Sequence, residues 1–131
     1  MENNVDKVAA HVFLDAFSRG DTQAMEALPA PDFLLRQADG LPYGGDYRGV
    51  EGWQRMLTRF AETWSSLVPT LVTVLGDGPQ FAVLVDVTVT ARATGRTLTT
   101  SVLEFWTMRD GKLAEIRPFY WDTAAVTALV C

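Results

Sequence analysis

The chain has 131 residues, 48% apolar and 21% charged, with a formal net charge of −5. That length suits one domain, read here as residues 1–131, with enough apolar content to bury a core, which excludes disorder. No apolar run approaches the ~20 residues a membrane helix needs, and the acidic balance without a Lys/Arg cluster argues against phosphate neutralisation, so neither a membrane nor nucleic acid is an expected partner.

Cys131 is the single cysteine and His11 the single histidine. One chain therefore cannot assemble a disulfide or a His/Cys metal centre, and no metal is expected. The opening segment Met1 to Lys7 lacks the charged start, apolar stretch and cleavage site of a secretory signal, so a cytoplasmic location is expected.

Val5, Val8, Ala9, Val12, Phe13, Ala16 and Phe17 follow helical spacing, with Asn3 or Asn4 as cap and Gly20 as stop, which predicts a first helix. His11 falls off that stripe beside Asp15 and reads as a surface residue. Asp21-Thr22 opens a short second helix ending near Leu28, before Pro29 and Pro31 break the chain. Phe33 to Gln37 reads as a short strand. Ala38 to Gly49, with four glycines and a proline between aromatics, reads as a loop or irregular hairpin over a pocket entrance.

From Val50, the residues Trp53, Met56, Leu57, Phe60, Trp64 and Leu67 mark a long amphipathic helix that must pack on a sheet. Beyond Pro69 the pattern turns to strands over Thr70–Leu75, Gln80–Arg92, Arg96–Met108 and Lys112–Tyr120, an antiparallel meander punctuated by Gly-Asp-Gly-Pro, Thr-Gly and Asp-Gly turns. Thr123 to Leu129 predicts a last short helix.

Two-residue turns at Asp110-Gly111 and Thr94-Gly95 set a register in which Leu84, Asp86, Leu103, Phe105, Ile116, Tyr120 and Asp122 share one face. That face grades from apolar to polar, as a pocket with a dry floor would. The opposite face, with Val83, Val85, Val87, Val89, Val102, Trp106, Phe119 and Trp121, needs cover, and a homodimer through this outer sheet face is expected. Glu104 and Arg117 read there as a cross-strand ion pair. Pro118 cannot donate to a ladder, and a bulge at it would reverse Asp122 relative to Ile116.

Four motifs carry a resemblance across almost the whole chain: Ser18-Arg19-Gly20-Asp21, Tyr47-Arg48-Gly49-Val50-Glu51-Gly52-Trp53, Asp110-Gly111-Lys112-Leu113 and Arg117-Pro118-Phe119-Tyr120-Trp121-Asp122-Thr123-Ala124-Ala125. With the order of elements, they make the chain resemble the SnoaL-like branch of the nuclear-transport-factor-two-like superfamily. The resemblance implies an α+β fold: a cone-shaped, curved antiparallel sheet with helices packed over its concave face, the cystatin-like α+β barrel. It also implies a homodimer and no cofactor. Polyketide cyclases, limonene epoxide hydrolase, ketosteroid isomerase and catalytically inactive scaffolds share that architecture, so residues must select the reaction.

In SnoaL-like cyclases an Asp ending the last strand is the acid/base, and Asp122 resembles it; the competing reading is that Asp122 caps the final helix. Against limonene epoxide hydrolase, Asp86 and Asp122 match the carboxylates and Gln37 the Asn, but Leu84 and Leu35 replace its Arg and Tyr, which argues against epoxide hydrolysis. Asp86 and Asp122 would also stand roughly 16 Å apart on a flat sheet. Against ketosteroid isomerase, Phe13 replaces the helix Tyr, and Asp39 reads better as a turn residue than as the base. The expected protein is an acid/base enzyme on a small hydrophobic carbonyl compound, a cyclase, isomerase or dehydratase. Asp122 and Asp86 are its expected catalytic residues, Gln37 or Tyr120 its oxyanion donor, and Phe13, Trp53, Leu103 and Phe105 its pocket wall. The alternative is a non-catalytic ligand-binding or scaffold protein.

Overall fold

The computed structural model describes residues 3–131, with side chains from Asp6 onward. Helix α1 spans Asn3–Arg19 and buries Ala10, Phe13 and Ala16, while Val8 and Val12, expected on the same stripe, are exposed. The cap expected at Asn3 or Asn4 falls on side chains outside the described ones. Helix α2, Thr22–Glu26, starts where the Asp21 carboxylate accepts the Ala24 N–H. Strand β1, Pro29–Gln37, and the short β2, Gly45–Arg48, form the irregular hairpin expected around Ala38 to Gly49.

Helix α3, Gly49–Thr63, lies close against β2 because residue 52 has no side chain: a Cβ there would stand 2.6 Å from the Tyr47 carbonyl carbon. It ends earlier than its apolar pattern suggested. Trp64 and Leu67 belong to strand β3, Trp64–Leu75, because Pro69 cannot continue a helix and its missing N–H is tolerated on an edge strand. Strands β4, Gln80–Ala91, β5, Thr97–Arg109, and β6, Lys112–Tyr120, follow, and helix α4 covers Thr123–Leu129. Among the described residues no helix is long and apolar enough to cross a membrane.

The α+β composition stands, but the cone-shaped antiparallel barrel does not. The sheet is six-stranded in the order β2-β1-β6-β5-β4-β3, neither closed nor strongly curled. It is mixed, because β1 lies parallel to β6 while the other neighbours are antiparallel. Closure would need β2 to hydrogen-bond to β3, and both remain edges. Helices α1 and α3 cover one face, with Phe13 edge-on to Trp53 at 5.4 Å and to Trp106 at 5.7 Å between ring centroids.

That covered face is the reverse of the one expected to hold a pocket. Val83, Val85, Val89, Val102 and Trp106 are buried beneath the helices, whereas Leu103, Phe105 and Asp86 point to the outer face. Strand β6 then joins by a one-residue slip. Asp110 and Gly111 both have positive φ, the two-residue turn that matches strand twist, and Arg109 pairs with Lys112 and Met108 with Leu113. The next pair is Thr107 with Glu115, so Ala114 is an extra residue on β6. The bulge lies there and not at Pro118, and it brings Ile116, Pro118 and Tyr120 to the same face as Trp106, Glu104 and Val102.

Deleting Ala114 would throw those three β6 side chains to the wrong face, because side-chain direction has a period of two. Such a deletion is expected to cost more than about 4 kcal/mol, in the range of major core disruption. Circular dichroism melting would show the loss or collapse of the cooperative transition.

Candidate functional site

Between α1, α3 and the inner sheet face lies a cavity of about 80 Å³. Phe13, Leu14 and Phe17 reach it from α1, and Trp53, Met56, Leu57 and Phe60 from α3. The sheet contributes mostly apolar residues, with three polar ones among them: Gln37 on β1, Glu104 on β5 and Tyr120 on β6. A concave, largely apolar space with a few convergent polar groups is the usual form of a small-molecule site.

Glu104 is the residue that sequence reasoning misplaced. Opposite it stands Pro118, not Arg117, and Arg117 reaches Glu115 on its own strand at 3.6 Å. Glu104 lines the cavity. Trp106 donates its indole N–H to Glu104 Oε1 at 2.9 Å. Burial raises the pKa of the carboxyl, and the Trp106 hydrogen bond opposes the rise without cancelling it. The signal in the sequence was a lone acid at an inward position among Val102, Trp106 and Val83, visible only once the buried face of β5 is known.

Tyr120 lies diagonally from Glu104 on the same face, since Val102 pairs with Tyr120 one inward position along. Such diagonal neighbours sit about 7 to 8 Å apart. The Tyr120 and Tyr43 hydroxyls stand 2.9 Å apart. Burial pushes Tyr43 up to about 12 and Tyr120 well above the ordinary tyrosine value, so both are neutral hydroxyls at physiological pH. Gln37 is buried, its Nε2 donating to Met56 Sδ at 3.6 Å while its Oε1 has no partner.

Of the residues expected in the site, the structure brings together Phe13, Trp53, Gln37 and Tyr120. Leu103 and Phe105 are on the outer face, 43% and 41% exposed, and do not shape the cavity. Asp86 is exposed on that same outer face and accepts a hydrogen bond from Ser101 Oγ at 2.8 Å. Asp122 is exposed beyond the end of β6, where its Oδ1 accepts the Ala125 N–H at 2.9 Å and caps α4. Neither carboxylate faces the cavity, because β4 and β5 present the opposite parity and β6 ends two residues before Asp122.

A wider cleft of about 370 Å³ opens between the ends of β1 and β6 and is lined by Arg36, Asp46, Arg117 and Phe119 among others. Its arginines are already engaged, Arg36 with Asp46 at 3.7 Å and Arg117 with Glu115. Among the described residues no three His, Cys, Asp or Glu side chains gather as a metal site would require.

The raised carboxyl has a thermodynamic consequence. Between the ordinary glutamate pKa and the higher folded value, the folded state holds a proton that the unfolded chain has released. The stability from Glu104 is therefore complete below the ordinary value and is lost as pH rises through the folded one. Glu104→Gln keeps an acceptor for Trp106 and is expected to be more stable than the natural chain at alkaline pH. The gain should grow by about 1.4 kcal/mol for each pH unit between the two values and vanish in acid, as urea unfolding across pH would show.

Comparison with known proteins agrees with this architecture. The structure is similar to an NTF2-like protein of unknown function from Burkholderia pseudomallei, with 23% identity, a TM-score of 0.90, and 96% of this chain and 97% of that one covered. It is also similar to TerC co-crystallised with polyporic acid, with 22% identity, a TM-score of 0.87, and 96% and 98% covered. An NTF2-like protein from Burkholderia thailandensis shares 25% identity, with a TM-score of 0.86 and 95% of each chain covered. No curated protein sequence matches. The family model for the SnoaL-like domain matches residues 10–116, most of the length over which the helices and sheet enclose the cavity, and the chain belongs to that family within the NTF2-like superfamily.

Proposed function

We propose that this SnoaL-like protein is a cofactor-independent acid/base enzyme acting on a small apolar carbonyl compound, with Glu104 as the proton-transfer group. The observation that carries the reading is a single carboxyl lining an apolar cavity, its pKa raised by burial, a pairing that suits general acid/base work. The TerC crystals containing polyporic acid support extending small-organic-ligand binding to this chain.

As carboxylate, Glu104 removes the proton from the carbon beside the ligand carbonyl. The C–H electron pair becomes a carbon–carbon π bond and the carbonyl pair moves onto oxygen. Tyr120 donates its hydroxyl to that oxygen as charge develops. The neutral Glu104 then returns the proton to the far carbon of a conjugated enolate, so a double bond moves with no external reductant or oxidant. Phe13 and Trp53 pack against one another beside the apolar part of the ligand and exclude water.

Acetophenone in deuterium oxide tests the step directly, because its methyl hydrogens lie beside the carbonyl. Proton NMR is expected to show protein-dependent loss of the methyl signal, slowed about 100-fold or more by Glu104→Gln. Asp122→Ala and Asp86→Asn should exchange at the unaltered rate. Equal exchange with and without the Glu104 carboxyl would remove it from the chemistry, and strong slowing in Asp122→Ala would return the role to that residue.

The same proposal places a second copy of the chain on the outer face. Support comes from Leu103 paired with Phe119 and from Phe105 on the same face, with Phe119 53% and Trp121 86% exposed, an exposed group of large apolar side chains of the kind that a two-fold contact covers. Phe105→Lys is expected to convert a dimer to a monomer in sedimentation velocity; a monomeric natural protein at micromolar concentration would rule the contact out.

A further inference from the structure

Gln37 ends β1 on the inner face, 6% exposed, in line with the buried Phe33 and Leu35. Its Nε2 donates to Met56 Sδ at 3.6 Å, a weak acceptor. A thioether sulfur has no proton to give, so the amide nitrogen is the atom turned to Met56 and the oxygen is the atom left over. That Oε1 is buried and has no hydrogen-bond partner among the described residues. Buried amides are nearly always paired, and an unpaired acceptor is costly where leucine or methionine would fill the same space. Packing alone does not account for an amide here.

Gln37 lines the cavity, and the strand register sets its distance from Glu104. Leu35 pairs with Ile116, so Gln37 and Pro118 each lie two residues beyond that pair, and Pro118 pairs with Glu104. Gln37 and Glu104 therefore stand in one row across three strands, about 10 Å apart at the backbone, which is two strand spacings. The Pro118 side chain between them offers no hydrogen-bonding group. The cavity thus carries a free acceptor at one end of an apolar floor and a carboxyl at the other. A hydroxyl brings one proton to that acceptor, whereas an amino group would leave a further N–H against an apolar wall.

We infer that Gln37 is a specificity-determining residue whose amide oxygen accepts a ligand hydroxyl, so that the substrate is a hydroxy ketone carrying its hydroxyl at the end remote from the carbon that Glu104 deprotonates, as in a para-hydroxyaryl ketone. This rests on the reading of the cavity as a carbonyl site, and deepens it by naming the substrate class.

The test compares para-hydroxyacetophenone with para-methylacetophenone, in which a methyl group of nearly the same size replaces the hydroxyl. Affinities are measured by isothermal titration calorimetry, and the side-chain carbonyl ¹³C shift of labelled Gln37 reports hydrogen bonding to its oxygen. The natural protein should bind the hydroxy compound about three- to tenfold more tightly, with a downfield shift of the Gln37 carbonyl that the methyl compound does not produce. Ortho-hydroxyacetophenone, whose hydroxyl lies beside its own carbonyl, should gain nothing. Gln37→Met should erase the preference, leave para-methylacetophenone affinity unchanged and raise the Tm of the ligand-free protein. A natural protein without the preference or the shift overturns the assignment, as does a Gln37→Met variant with lower Tm and equal loss of both ligands. Deuterium exchange of acetophenone that depends on Glu104, with no preference for the hydroxyl, leaves the proposed chemistry standing and removes the role of Gln37. A Gln37-dependent preference without any exchange keeps that role and removes the chemistry.

Discussion

One extra residue on β6 governs which side chains share the inner face. Beyond Ala114, β6 pairs with β5 in a register that sets Ile116 opposite Trp106, Pro118 opposite Glu104 and Tyr120 opposite Val102. Because successive strand residues alternate between faces, the opposite parity would bring Arg117 and Phe119 into the cavity and expel Tyr120. The turn at Asp110-Gly111 sets the hairpin, and the bulge then re-aims everything that follows. The neighbouring β1 joins β6 in parallel, with Leu35 beside Ile116, so the corrected parity carries on to Gln37.

The chemistry of the cavity follows from that packing. Glu104 is surrounded by apolar neighbours and has one donor, Trp106, whose indole is itself anchored between Phe13 and Phe81. One hydrogen bond does not replace the hydration a carboxylate loses on burial, which is why its pKa rises. Such a group is a cost to the fold at alkaline pH and a resource for proton transfer. Natural proteins retain costly buried groups of this kind chiefly at functional sites.

Rigidity around the tyrosine pair complements the carboxyl. Arg59 and Tyr47 tie the loop carrying Tyr43, while Thr127 of α4 donates to the Gly40 carbonyl and joins the same loop to the C-terminal helix. Arg96 and Thr94 in turn donate to the last carbonyls of α4. The loop whose Tyr43 meets Tyr120 is thus held from separate parts of the chain. A hydroxyl placed by prior structure need not be ordered when a ligand arrives.

The order of elements, the two-residue turn at Asp110-Gly111, the cap at Asp21 and the limits of α4 were legible in the amino-acid sequence, because each is decided by residues a few positions apart. The same local logic reads Asp122 as a helix cap, and the structure places it as one. Membership of the SnoaL-like family was also legible, through motifs that span turns and helix starts. The open, mixed sheet, the face of β4 and β5 that the helices cover, and the position of the bulge were decided only by tertiary structure. On β4 Phe81 and the valines at 83, 85, 87 and 89 share one face, but β5 carries large apolar residues on both, Val102 and Trp106 on one and Leu103 and Phe105 on the other, so alternation marked an apolar face without deciding whether helices or a second subunit cover it, and a single inserted residue reverses parity without changing composition. Glu104 entered the site for that reason: its role depends on which face α1 and α3 bury, a property of the packed molecule.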